Sequence, residues 1–148
     1  MSGSTKPPGI PAKAVAAFVL CCLVAVSAAA AVRSPGKAED AAIRQAIFDD
    51  LTANALARRP VITRIRVSSI APPARATGTH RYRKFARVDL DDPTRAGAAA
   101  ALLGYYVASI SGWRVLDLGS SEVGCGVPAQ VFHGRKRAVM RDLKLDCP

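Results

Sequence analysis

The sequence predicts an α+β fold: one long N-terminal helix packed on a three- to four-stranded antiparallel sheet, with a short, disulfide-pinned helical tail at the C-terminus. Three observations carry this. Ile43, Ile47, Leu51 and Ala55 recur every four residues, the spacing of one helix face. Two later segments, Val61 to Ile70 and Tyr82 to Leu90, alternate their side chains with period two, as half-buried strands do. Cys125 and Cys147 are the cysteines left once an apolar N-terminal run holding Cys21 and Cys22 is set aside, and two cysteines in an exported domain predict one bridge.

The chain of 148 residues divides in three. Residues 1–13 (MSGSTKPPGIPAK) are rich in Pro, Gly and Ser and read as a disordered cytoplasmic n-region. Residues 14–32 (AVAAFVLCCLVAVSAAAAV) run for 19 positions without a charge. That is close to the ~20 helical residues that cross a hydrocarbon core. Lys6 and Lys13 precede the run, the pattern of a signal peptide or of a helix whose positive flank stays in the cytoplasm. Two outcomes stay open. Cleavage after small residues such as Ala28-Ala29-Ala30 gives a secreted protein, and retention gives one held in the membrane by a single N-terminal helix. Residues 33–148 are then an extracytoplasmic domain.

Within that domain the helix is expected from about Lys37 to Arg58. Phe48 and Leu56 widen its apolar face, Glu39 and Asp40 sit in the first turn, Arg58 and Arg59 close the last, and Pro60 stops it. In the first strand Val61, Thr63, Ile65 and Val67 oppose Ile62, Arg64, Arg66 and Ser68, so the outer face bears arginine. Ala71 to His80 is loop by its Pro and Gly content. In the second strand Tyr82, Ala86, Val88 and Leu90 share one face, and Arg83, Phe85, Arg87 and Asp89 the other. Residues 91–94 (DDPT) make a turn. Residues 96–110 fit a helix by their alanines and a strand by Tyr105, Tyr106 and Val107. The Ser111-Gly112 turn favours a hairpin, with strands from Leu102 to Ser109 and from Trp113 to Gly119. In the latter Trp113, Val115 and Asp117 point one way, and Arg114, Leu116 and Leu118 the other. Short helical turns are expected from Pro128 to Phe132 and from Arg135 to Leu143. A helix followed by antiparallel strands is the element order of a cystatin-like layout.

The chain carries 21 Lys+Arg against 11 Asp+Glu. Lys6 and Lys13 account for two of the cations, so residues 33–148 keep 19 against 11, a net of +8. Arg64 and Arg66 on one strand, and Arg81, Arg83 and Arg87 on the next, form a candidate anion-binding surface with Phe85 among them. Its expected partners are anionic envelope polymers or lipid headgroups. Nucleic acid is disfavoured, because an exported protein rarely meets it. Arg135-Lys136-Arg137 with Arg141 and Lys144 forms a second basic cluster.

No other constellation points to chemistry. Asp89, Asp91 and Asp92 read as a turn that balances Arg87 and lack the oxygen ligands of a cation loop. His80 and His133 have no zinc-ligand spacing, so no metal is expected. Ser120 and Ser121 sit in G-S-S-E, outside the nucleophile-elbow pattern. His133, eight residues after Cys125, admits a nucleophile–base pair, with nothing else supporting it. No phosphate-binding glycine loop implies a cofactor.

The segments WRVLDLGSSEVGCGVPAQV and LDCP resemble the end of small predicted secreted proteins of high-GC Gram-positive bacteria. The matching positions are Trp113, Gly119, Ser120, Gly124, Cys125, Pro128, Val131, Cys147 and Pro148. The resemblance spans about 40 residues, with weaker likeness in FARVDL, and residues 132–140 look like an expansion. It implies export, this fold and the bridge, and no activity. The function expected is a non-enzymatic binding or envelope-associated module. The alternatives are a small hydrolase-like extracytoplasmic enzyme and a nucleic-acid-binding protein.

Overall fold

The computed structural model describes residues 32–54, 60–72, 81–91 and 98–147. The n-region, residues 14–31 of the apolar run, the last predicted helical turn, most of the loop after Ala71 (with His80) and the turn at Asp92 lie outside them. No helix among the described residues is long and apolar enough to cross a membrane.

The first helix, α1, spans Lys37–Ala53, 17 residues, and is shorter in its described part than the long helix expected. Ile43, Ile47 and Leu51 are its buried positions, as the four-residue spacing requires. Gly36 starts it in extended conformation, and Glu39 and Asp40 supply negative charge to the first turn. Asp40 also pairs with Arg44 one turn on, at 2.6 Å.

Four strands follow: β1 Val61–Val67, β2 Tyr82–Asp91, β3 Ala98–Tyr106 and β4 Gly112–Gly119. They form one antiparallel sheet in chain order, β1-β2-β3-β4. The ambiguous alanine segment is therefore a strand, and it begins four residues earlier than the hairpin reading placed it. Ala100 and Ala101 let the layers on both faces approach a central strand closely, and this packing overrides alanine's helical preference.

Each strand pair contains a register shift: between Ile62 and Arg64, between Tyr82 and Lys84, and between Leu102 and Leu103. An irregularity of this kind moves the side chains beyond it to the other face. Tyr82 was expected beside Ala86, Val88 and Leu90, and packs instead on the opposite face. Leu118 was expected opposite Trp113, and joins Trp113 and Val115. Asp117 is freed to accept the backbone N–H groups of Leu118 at 2.9 Å and Gly124 at 2.6 Å.

The sheet is covered on both faces. α1 packs on one, over Ile65, Val67, Ala86, Val88, Leu90, Ala101, Leu103 and Trp113. The other face carries Phe85, Ala100 and Leu102, and the C-terminal tail closes it. That tail holds a 3-10 turn, Ala129–Phe132, and a second helix, α2, Lys136–Asp142. Phe132 stacks on Phe85 with centroids 4.8 Å apart, and Val139, Met140, Leu143 and Leu145 fill the rest. The arginine-bearing face read as outer is thus an inner face over much of its area. Cys125 and Cys147 are bonded and pin this layer.

Two glycines fit close approaches. At Gly124, φ is +84°, and an added Cβ would lie 2.8 Å from both Leu102 and Met140. At Gly104 it would lie 2.5 Å from the Tyr82 ring, which rests on that bare backbone.

Candidate functional site: the cationic exterior

The five arginines are not one surface. Arg66 and Arg87 face each other across β1 and β2 and are half-buried. Asp89 lies between them, 3.4 Å from the Arg66 guanidinium and 2.5 Å from that of Arg87. Arg87 also donates to the carbonyl oxygens of Leu143, at 3.5 Å, and Lys144, which fastens the end of α2 to the sheet. Arg64 is exposed on the same strand as Arg66. Arg81 is exposed just ahead of β2, and Arg83 is half-buried near that strand's start. The group divides into a structural pair at mid-sheet and residues disposed around it.

The acids explain the division. Glu39 joins Arg33 at 2.6 Å and Lys84 at 3.2 Å. The hydrogen bond from Arg33 holds its carboxyl below the ordinary value near 4.5, against the opposing effect of burial, with Lys84 adding to the fall. Asp142 accepts from the Ser68 hydroxyl at 2.6 Å and from the Ser69 N–H at 2.9 Å, tying α2 to the end of β1. Asp117 holds the turn after β4. Glu39, Asp89, Asp117 and Asp142 thus serve as internal ties. Among the described residues ten Lys or Arg side chains are exposed, against four Asp or Glu: Asp49, Asp91, Glu122 and Asp146.

The second basic cluster divides the same way. The Lys136 ammonium donates to the carbonyl oxygens of Cys125, at 2.6 Å, and Val127, at 2.7 Å. Arg135 donates to that of Ala71 at 2.9 Å. Arg137, Arg141 and Lys144 are exposed.

The isolated polar candidates have structural settings. His133 has a left-handed backbone, and its Nε2 lies 3.2 Å from the Tyr82 carbonyl oxygen. The Cys125 sulfur is bonded to Cys147, which removes it as a nucleophile for His133. Among the described residues no three His, Cys, Asp or Glu side chains are grouped to hold a metal. A shallow cleft of about 400 Å³ is lined by Thr63, Arg87, Asp89, Asp91 and Ser120 among others.

Sequence reasoning missed one grouping, at the sheet end where β3 turns into β4. Tyr105 meets Trp113 edge-on at 5.6 Å on one face, and Tyr82 meets Tyr106 at 5.3 Å on the other. Each pair carries a cation: Lys84 lies 5.8 Å from the Tyr105 centroid and Arg114 4.2 Å from that of Tyr106. The alternation of cations and aromatics in RYRKF and YY…WR is the signal that points there.

These features define a small α+β protein with a two-sided antiparallel meander, a disulfide-closed tail and an outward-facing excess of cations. No protein-family model matches the chain, and neither the curated proteins nor the solved structures yield a match.

Proposed function

We propose that residues 33–148 form a non-enzymatic extracytoplasmic module, exported or tethered by residues 14–32, that binds an anionic envelope polymer or lipid headgroup. The observation that carries this reading is the ten-to-four excess of exposed cations over exposed acids among the described residues. The uncharged run and the likeness of the tail to small secreted proteins support the location. The Cys125–Cys147 bond is compatible with an oxidising compartment. The order of helix and meander supports the cystatin-like layout.

The test is binding to envelope polymer and to anionic vesicles as salt is raised. Between about 0.01 M and 1 M the Debye length falls from about 30 Å to about 3 Å, so binding should be strong at the first and lost at the second. Binding indifferent to salt overturns the electrostatic reading. A shift of labelled oligonucleotide that outcompetes both ligands would move the function to nucleic acid.

One observation favours an enzyme instead. The cleft is lined by exposed Asp91 and Ser120 together with Arg87, polar side chains that a small hydrolase could use. Hydrolysis of an ester or phosphoester that disappears in both Asp91→Asn and Ser120→Ala would establish it.

A further inference from the structure

We infer that the β3–β4 hairpin end of the sheet is a lipid-facing surface, which seats the domain on an anionic bilayer beside the segment that tethers it. The inference rests on the tethering reading of residues 14–32 and adds the orientation of the domain.

Topology supplies the first argument. Arg33 pairs antiparallel with Val67, the last residue of β1, through hydrogen bonds of 3.1 and 2.9 Å. The chain at Val32-Arg33 therefore enters the fold from the end at which β1 finishes. The antiparallel order places the start of β2, the close of β3 and the start of β4 at that same end. Lys84, near the start of β2, reaches Glu39 in the first turn of α1, so the helix also begins there. A membrane holding residues 14–31 would meet this end first.

The chemistry of that end fits a bilayer interface. Ile110, at the hairpin tip, is 78% exposed, and Val107 beside it is exposed as well. Behind the tip, Tyr82, Tyr105 and Tyr106 are half-buried, the residue type that collects where hydrocarbon meets headgroups. Arg81, Lys84 and Arg114 surround them as exposed cations. Their charge is attracted to anionic headgroups within about a Debye length of the surface, so the docking weakens as salt is raised. Of the acids at this end, Glu39 is engaged by Arg33 and Lys84, Asp40 by Arg44, and Asp142 by the Ser68 hydroxyl. Three of the four exposed acids, Asp49, Asp91 and Glu122, belong to the opposite end: the later part of α1, the last residue of β2 and the turn after β4; the fourth, Asp146, adjoins the disulfide. Exposed Arg81 and Arg114 thus lie at the end nearest the tether, and exposed Asp49, Asp91 and Glu122 at the other.

The experiment uses the full chain with residues 14–32 intact, in vesicles that contain brominated phosphatidylglycerol. Trp113 is the chain's single tryptophan and lies at the same hairpin end, so its emission is measured in the otherwise identical chain without the added tryptophan and subtracted. Ile110→Trp places the added tryptophan at the tip, and Val61→Trp at an exposed site (59%) on the opposite end. The added emission of Ile110→Trp should be quenched and that of Val61→Trp should not. Reversing Arg81 and Arg114 to glutamate should abolish the quenching while the protein still floats with the vesicles. Failure to float overturns the tethering reading and the docking with it. Flotation with both reporters quenched alike, or neither quenched, overturns the docking alone. Quenching that survives the charge reversal, or is as strong in neutral brominated lipid, overturns the choice of an anionic surface.

Discussion

Asp89 stands between Arg66 and Arg87, all three half-buried beneath the C-terminal layer. Asp89→Asn keeps the shape and leaves two guanidinium groups facing each other without their counter-charge. A loss of about 1–3 kcal/mol in urea unfolding is expected, because the remaining charges are partly withdrawn from water. Glu39 makes a separate prediction. Its folded-state carboxyl is held below the usual value, so its contribution is complete above the unfolded value near 4.5 and is lost as pH falls through the depressed one. Thermal unfolding from neutral to acidic pH should show this: Glu39→Gln lowers Tm near neutrality, and the gap to the wild type closes as acid protonates Glu39. A gap independent of pH would remove the ion pair as the cause. At Gly124, alanine would take a left-handed backbone and press on Leu102 and Met140. An Ala variant should lose about 1–3 kcal/mol, chiefly through overpacking.

The elements differ in how far the sequence discloses them. α1 was legible because Ile43, Ile47 and Leu51 share one stripe and all face one core. β2 was legible as a strand, but its surroundings were not. Phe85 is flanked by Arg83 and Arg87, so the face looked solvated; only the tail, some 50 residues later in the chain, makes it an interior. The register shifts left no mark in the alternation, which is why Tyr82 and Leu118 changed faces. The two helical turns of the tail and the bridge were legible from Pro128, the spacing of apolar residues and the cysteine count. The candidate site was legible as a cation excess and not as a place, since choosing which arginines are used internally depends on where Asp89 and the carbonyls of α2 fall. The bridge closes 22 residues and in the chain-entropy model stabilises by about 3 kcal/mol. Replacing both cysteines with serine should lower the urea midpoint accordingly. It should also raise hydrogen exchange first in residues 125–147, ahead of β2 and β3.

At the scale of the molecule, two cores lie back to back and share the same two central strands. Val88 and Leu103 belong to one core, and Phe85 and Leu102 to the other. The salt-dependent binding expected of the exterior should leave both untouched, so charge reversal at Arg137 and Arg141 should weaken binding to an anionic polymer without moving Tm. A parallel fall in Tm would mean that these residues belong to the scaffold. The strand order carries a last consequence, for synthesis. Each of β2, β3 and β4 hydrogen-bonds to the strand made immediately before it, so each pair can close as soon as its second strand leaves the ribosome. The two covering layers must wait: α1 for β4, the last strand it packs against, and the tail for its own synthesis. The tail is also the part fastened by a covalent bond, so the final layer to arrive is the one that chemistry locks in place.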